Sequence, residues 1–163
     1  GIQVNWLLDI TRGLKKLNQS GTMDAHRDLK PENIIIKHSG SARMIDPSPH
    51  PEEFHGVFVT TPHYNPLLLK DSKADVMAIG VILYEILTGV LPFDEVPYRR
   101  AGIDDLKDEI DDLSLSYFLS YPPPHDLNPN TPMAVEQIVH RCLIVPEYGL
   151  RDLESDLLHY LRS

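Results

Sequence analysis

His26-Arg27-Asp28-Leu29-Lys30-Pro31-Glu32-Asn33 gathers a carboxylate, two cations and an amide into one short polar stretch. A carboxylate can orient the proton of a hydroxyl, an ammonium is a compact partner for phosphate, and an amide oxygen is a ligand for hard cations. These are the groups that phosphoryl transfer calls on. The plainer alternative is a polar loop in which Pro31 and Asn33 only turn the chain. On either side the pattern is regular: Leu7, Ile10, Leu14 and Leu17 recur at helical spacing before the stretch, and the β-branched run Ile34-Ile35-Ile36 follows it. The local order is therefore helix, loop, strand.

The eight residues from His26 to Asn33 resemble the catalytic loop of the Ser/Thr protein kinases. The resemblance implies that Asp28 accepts or orients the proton of the attacking hydroxyl and that Lys30 neutralises charge at the transferring phosphate. It further implies that Asn33 holds a magnesium ion. Asp46-Pro47-Ser48 stands where the family carries its metal loop, so Asp46 is the expected second magnesium ligand; the alternative is an Asx turn opened by Asp46. Pro47 and Ser48 depart from the family's phenylalanine and glycine, and a proline there fixes φ and removes a donor, which implies a stiffer loop. ATP and Mg2+ are the implied cofactors, with Ile35 as the floor under the adenine and His26 as structural support for the loop.

Residues 46–67 read as an activation segment, with Thr61-Pro62-His63-Tyr64-Asn65-Pro66 resembling the family's peptide-docking run. By that resemblance Thr61 contacts Asp28 and Lys30. Arg27 marks a loop of the kind organised by a phosphate on the segment, and Thr60 is the candidate regulatory acceptor, or else a plain loop threonine. Leu67 occupies the position of a glutamate that pairs in the family with a late arginine, here Arg151. That pair is expected to be absent, with Leu67, Leu68 and Leu69 holding the segment by packing.

Residues 71–89 are apolar almost all round and read as a buried central helix, opened by a Ser72-x-x-Asp75 capping box and stopped by Gly89. In the family an aspartate at the place of Asp75 anchors the backbone of the catalytic loop; the simple cap is the alternative. Beyond Phe93 the signal thins to an acidic and proline-rich region, 99–132, and two terminal helices within 133–163. Within the former, Ile103 to Leu113 reads as an acidic amphipathic helix with a solvated face.

The 163 residues are 42% hydrophobic with a net charge of −9, enough apolar content for one globular unit with a core. The acidic balance argues against nucleic acid as a partner, and no apolar run is long enough to span a membrane. A cytoplasmic, intracellular location is the expectation. Cys142 stands alone in an apolar helical context and reads as a structural thiol; the scattered histidines, including His50 and His55 beside Glu52 and Glu53, make no zinc set.

The sequence contains no Gly-x-Gly-x-x-Gly run and no Val-Ala-x-Lys strand. The resemblance therefore covers the mainly α, C-terminal lobe of a kinase, with a small β hairpin at the catalytic and metal loops and the N-terminal β lobe missing. The implied function is phosphorylation of protein Ser and Thr hydroxyls, with the isolated fragment inactive until an N-terminal lobe is supplied. The alternatives are a pseudokinase or interaction module, favoured by Pro47, Ser48 and Leu67, and a kinase-fold small-molecule phosphotransferase.

Overall fold

The computed structural model describes residues 4–21, 23–49, 60–93 and 120–163. The expected acidic helix Ile103 to Leu113, the His50/His55 pair and the middle of the activation segment lie outside the described residues. The elements run α1 (Asn5–Gln19), a 3-10 turn (Pro31–Asn33), β1 (Ile34–Ile36), β2 (Ala42–Met44), α2 (Ser72–Thr88), α3 (Pro124–Leu127), α4 (Met133–Ile144) and α5 (Leu150–Arg162). The protein is mainly helical, with one two-stranded antiparallel sheet among the described residues.

Helix α2 is the centre of this arrangement. Its residues from Ala74 to Tyr84 are all buried, which is why its sequence lacks a polar stripe. Burying each large aliphatic side chain contributes about 1.5–3 kcal/mol, so a helix buried on every side is a strong organiser of its neighbours. Gly89, at φ 78°, adopts the left-handed conformation that ends the helix, and its amide donates to the Glu85 carbonyl at 2.7 Å. Asn128 adds a side-chain cap, its Nδ2 donating to the Leu87 carbonyl at 2.8 Å.

At the other end the structure corrects the expected cap. Asp71 is the N-cap, its side chain accepting from the Lys73 amide at 3.0 Å. The Asp75 carboxylate turns away from the helix, toward the backbone of His26 and Arg27. Lys73 turns its ammonium onto the carbonyls of Val145 at 2.8 Å and Tyr148 at 3.1 Å. It thereby satisfies the C-terminal end of α4, where carbonyls lack helical partners. Burial pulls this ammonium below its ordinary value.

Helix α1 buries Leu7, Ile10 and Leu14, and packs against β2 and α5. Glu154 receives both Arg12, at 3.0 Å, and Lys15, fixing α5 to α1. Asp9 accepts the Ala42 amide at 3.1 Å, tying the hairpin to the same helix. In the hairpin Ile34 pairs with Met44, Ile35 with Arg43 and Ile36 with Ala42. Cys142 is fully buried and its thiol is pushed up to about 12 by burial, in keeping with a structural residue.

Two glycines test this packing in opposite ways. A Cβ on Gly80 would lie 2.6 Å from the Cys142 Cβ and 2.9 Å from Leu143, where α2 and α4 touch. A Cβ on Gly13 would meet only the flexible end of Met44, at 2.9 Å. Gly80→Ala is expected to lower the unfolding free energy by about 2 kcal/mol or more through overpacking. Gly13→Ala should stay within about 1 kcal/mol of the parent, since the helical gain of alanine offsets a small side-chain shift. Chemical denaturation of both variants checks this; equal costs would contradict the close α2–α4 approach.

Candidate active site

The loop 26–33 is hung from α2 by one side chain. Asp75 Oδ2 accepts the His26 amide and Oδ1 the Arg27 amide, each at 2.8 Å, and the residue is 1% exposed. Burial pushes its carboxyl up to about 6 against the opposing pull of those two amides. Arg27 is held at φ 68°, a left-handed conformation that costs a non-glycine residue roughly 1 kcal/mol or more. The paired amide contacts to Asp75 and the anchorage of the Arg27 side chain fix it there.

His26 pins the loop to the segment 45–48. Its Nε2 stands 2.7 Å from the Ile45 carbonyl, so that nitrogen must carry the proton, and Nδ1 then accepts the Asp28 amide at 3.3 Å. The His26 carbonyl accepts the Ser48 amide at 2.8 Å, and the Asn33 carbonyl accepts that of Ile45 at 2.9 Å. Asp46, exposed and at φ 52°, is thereby held between two tethered residues. Burial lowers the His26 pKa, favouring the neutral ring that this bonding requires.

Thr61 lies 31 residues beyond Lys30 and 33 beyond Asp28 in the sequence, and the structure brings it onto both. Thr61 Oγ1 donates to Asp28 Oδ1 at 2.7 Å and accepts from Lys30 Nζ at 2.9 Å, while Lys30 Nζ lies 3.6 Å from Asp28 Oδ2. Asn33 is buried, and its Nδ2 donates to the Asp28 carbonyl at 2.8 Å. That bond orients the amide and leaves Oδ1 as its acceptor atom. Ile35 lies on β1, half exposed, beside the equally open Ile36. Thr60 Oγ1 donates to the Arg27 carbonyl at 2.7 Å.

Sequence reasoning missed three participants. Asn65 clamps the end of the segment: its Nδ2 donates to the Leu69 carbonyl at 2.9 Å and to Thr60 Oγ1 at 3.2 Å, and its Oδ1 accepts the Leu69 amide at 3.0 Å. The expected hold by leucine packing is therefore incomplete: Leu67 and Leu69 rest on the core, and a polar bracket does the rest. Tyr64 donates its hydroxyl to Glu85 at 2.8 Å, a second tie to α2. Asp24 pairs with the Arg27 guanidinium, which a carboxylate three residues before a buried arginine could have signalled. Arg151 is exposed on α5.

A family model described as protein kinase domain matches residues 2–149. A Lactococcus lactis protein described as probable serine/threonine-protein kinase PknB is 31% identical over 126 residues, covering 70% of this chain and 18% of the relative. Serine/threonine-protein kinase PrkC of Bacillus subtilis is 30% identical over 155 residues, 81% of this chain and 21% of the relative. Nek3 of Mus musculus, a serine/threonine-protein kinase, is 25% identical over 181 residues, 93% of this chain and 34% of the relative. The chain thus spans about a fifth to a third of the length of these relatives. It belongs to the serine/threonine protein kinase family.

The histidine bonding gives stability a definite pH dependence. Because folding lowers the His26 pKa, the unfolded chain takes up this proton first as the medium is acidified. The stability it contributes is full above its ordinary value of 6.5 and is lost as pH falls through the lower folded value. Asp75 acts with the opposite sign: folding raises its pKa, so its contribution declines as pH rises from 3.8 to about 6. Subtracting a variant isolates the histidine. His26→Gln is expected to cost about 1–3 kcal/mol at neutral pH, with the gap to the parent narrowing toward pH 5. Thermal unfolding across that range measures it, and a gap that widens on acidification would contradict the neutral ring.

Proposed function

We propose that the described residues form the helical, C-terminal lobe of a Ser/Thr protein kinase and that, completed by an N-terminal lobe, it transfers the γ-phosphate of ATP to Ser or Thr hydroxyls of proteins. The observation that carries the reading is the Lys30–Thr61–Asp28 chain of hydrogen bonds, 2.9 and 2.7 Å long. It links the proton-accepting carboxylate, the phosphate-facing cation and the peptide-docking segment in one array of side chains. In this reading 26–33 is the catalytic loop, 46–48 the metal loop, 46–67 the activation segment and 71–89 the central helix.

Asp28 Oδ1 is taken by Thr61, so Oδ2 is the atom that receives the proton of an incoming hydroxyl. Lys30, 3.6 Å from that oxygen, offsets charge building on the transferring phosphate. Family members generally use ATP and Mg2+, and the donors here fit such an ion: an oriented amide oxygen on Asn33 and an exposed carboxylate on Asp46, both hard oxygen ligands. Asn33 and Asp46 would hold the ion, which would supply positive charge to offset that of the ATP phosphates. Ile35 and Ile36, about half exposed at 50% and 52%, offer the apolar floor on which an adenine and the covering lobe would rest.

The test uses the protein at its natural full length, labelled ATP, magnesium and a Ser/Thr peptide beside a small-molecule acceptor. Asp28→Asn is expected to reduce peptide phosphorylation roughly 10²–10⁴-fold while sparing the fold, since it removes the base and keeps the shape. Lys30→Ala should lower turnover more than nucleotide affinity. Transfer only to the small molecule would move the assignment to a different phosphotransferase class. No transfer by the folded parent would leave a pseudokinase, with Pro47, Ser48 and Leu67 as the altered positions.

A further inference from the structure

Arg27 is one of the largest fully buried side chains, 2% exposed, and each of its three guanidinium nitrogens is engaged. Nε donates to the Lys70 carbonyl at 2.6 Å, Nη1 to those of Ala25 and Ser48 at 3.3 Å each, and Nη2 to Asp24. The Asp24 side chain sits at the rim, 60% exposed, while that of Arg27 is 1% exposed. A buried cation without a partner is strongly destabilising, so this carboxylate supplies the outward counter-charge, with Asp75 on the inner side.

A second observation concerns the activation segment. Within 46–67 the sequence holds only four hydroxyls, on Ser48, Thr60, Thr61 and Tyr64. Ser48 is buried, at 6% exposure, and its carbonyl accepts from Arg27. The other three hydroxyls donate inward, Thr60 to the Arg27 carbonyl, Thr61 to Asp28 and Tyr64 to Glu85. A phosphate on any of them would break a contact on which the catalytic loop rests, and a phosphate is the usual partner that orders such an arginine.

We propose that Asp24 is a positioning residue that takes the place of an activation-segment phosphate, holding Arg27 and with it Asp28 in the working geometry, so that the kinase needs no phosphorylation of this segment. The proposal rests on the kinase reading above. It follows that Asp24 acts on turnover through Arg27 and not on peptide or nucleotide binding.

Two measurements on the full-length protein decide it. In the first, phosphatase-treated parent, shown by mass spectrometry to be unmodified within 46–67, is expected to keep its kcat. Asp24→Asn should lower kcat about tenfold or more with little change in KM, as for a group that shapes the transition state only. Asp24→Glu, which restores the charge, should recover most of it. In the second, inorganic phosphate should raise the melting temperature of Asp24→Gly, by filling the side of Arg27 that the truncation vacates, and leave that of the parent unchanged. Loss of transfer on dephosphorylation, an Asp24→Asn enzyme as fast as the parent, or equal phosphate shifts in parent and variant would each overturn the proposal. If no form transfers phosphate, the kinase reading falls, and the thermal shift still decides whether Asp24 occupies an anion site.

Discussion

Asp75 presents two carboxylate oxygens to two consecutive backbone amides, those of His26 and Arg27, from the first turn of a helix that is buried on all sides. The loop 26–33 and the side chains gathered around it are positioned relative to that contact. An ionised carboxylate is costly to bury, and the cost is offset by charge-assisted bonds to both amides, by the partial positive charge of the helix start and by the nearby Arg27 cation. Because α2 is fixed by packing against α4 and by the Lys73 ammonium on the Val145 and Tyr148 carbonyls, the anchor is rigid. The strained φ of Arg27 is tolerated for the same reason.

From this anchor two further layers follow. His26 carries the constraint into residues 45–48 through the Ile45 carbonyl and the Ser48 amide, which holds Asp46 next to Ile45, whose amide bonds the Asn33 carbonyl. Thr60, Thr61, Tyr64 and Asn65 carry it into residues 60–69, where Thr61 bonds both Asp28 and Lys30. The leucine that stands at position 67 in place of an expected glutamate does not leave this segment loose. Asn65 brackets Leu69 from both its donor and acceptor atoms, and Leu67 and Leu69 pack on the core.

What the sequence disclosed depended on how local each cause was. The family was legible because the residues 26–33 that carry the resemblance are contiguous, and α1, α2 and the last two helices because their apolar patterns extend over several turns. The cap of α2 was not legible: Asp71, Ser72 and Asp75 are all capping types, and the choice falls to Asp71 because Asp75 is claimed by amides 48 and 49 residues earlier. The role of Lys73 was not legible either, because its partners are carbonyls 72 and 75 residues further on. The Asn65 bracket was hidden by three leucines that suggested packing alone. The Asp24–Arg27 pair was local enough to be read, yet arginine in such a loop suggested a phosphate partner before a carboxylate.

The dependence of catalysis on the Asp75 anchor is measured by the turnover of full-length Asp75→Asn. An asparagine keeps the size of the side chain but offers one acceptor oxygen, so one of the His26 and Arg27 amides loses its partner and the loop loses its fixed register. The expected result is a kcat at least about tenfold lower with little change in nucleotide affinity, the signature of a displaced catalytic group. A variant that folds and transfers phosphate as fast as the parent would show that the catalytic geometry does not hang on this carboxylate.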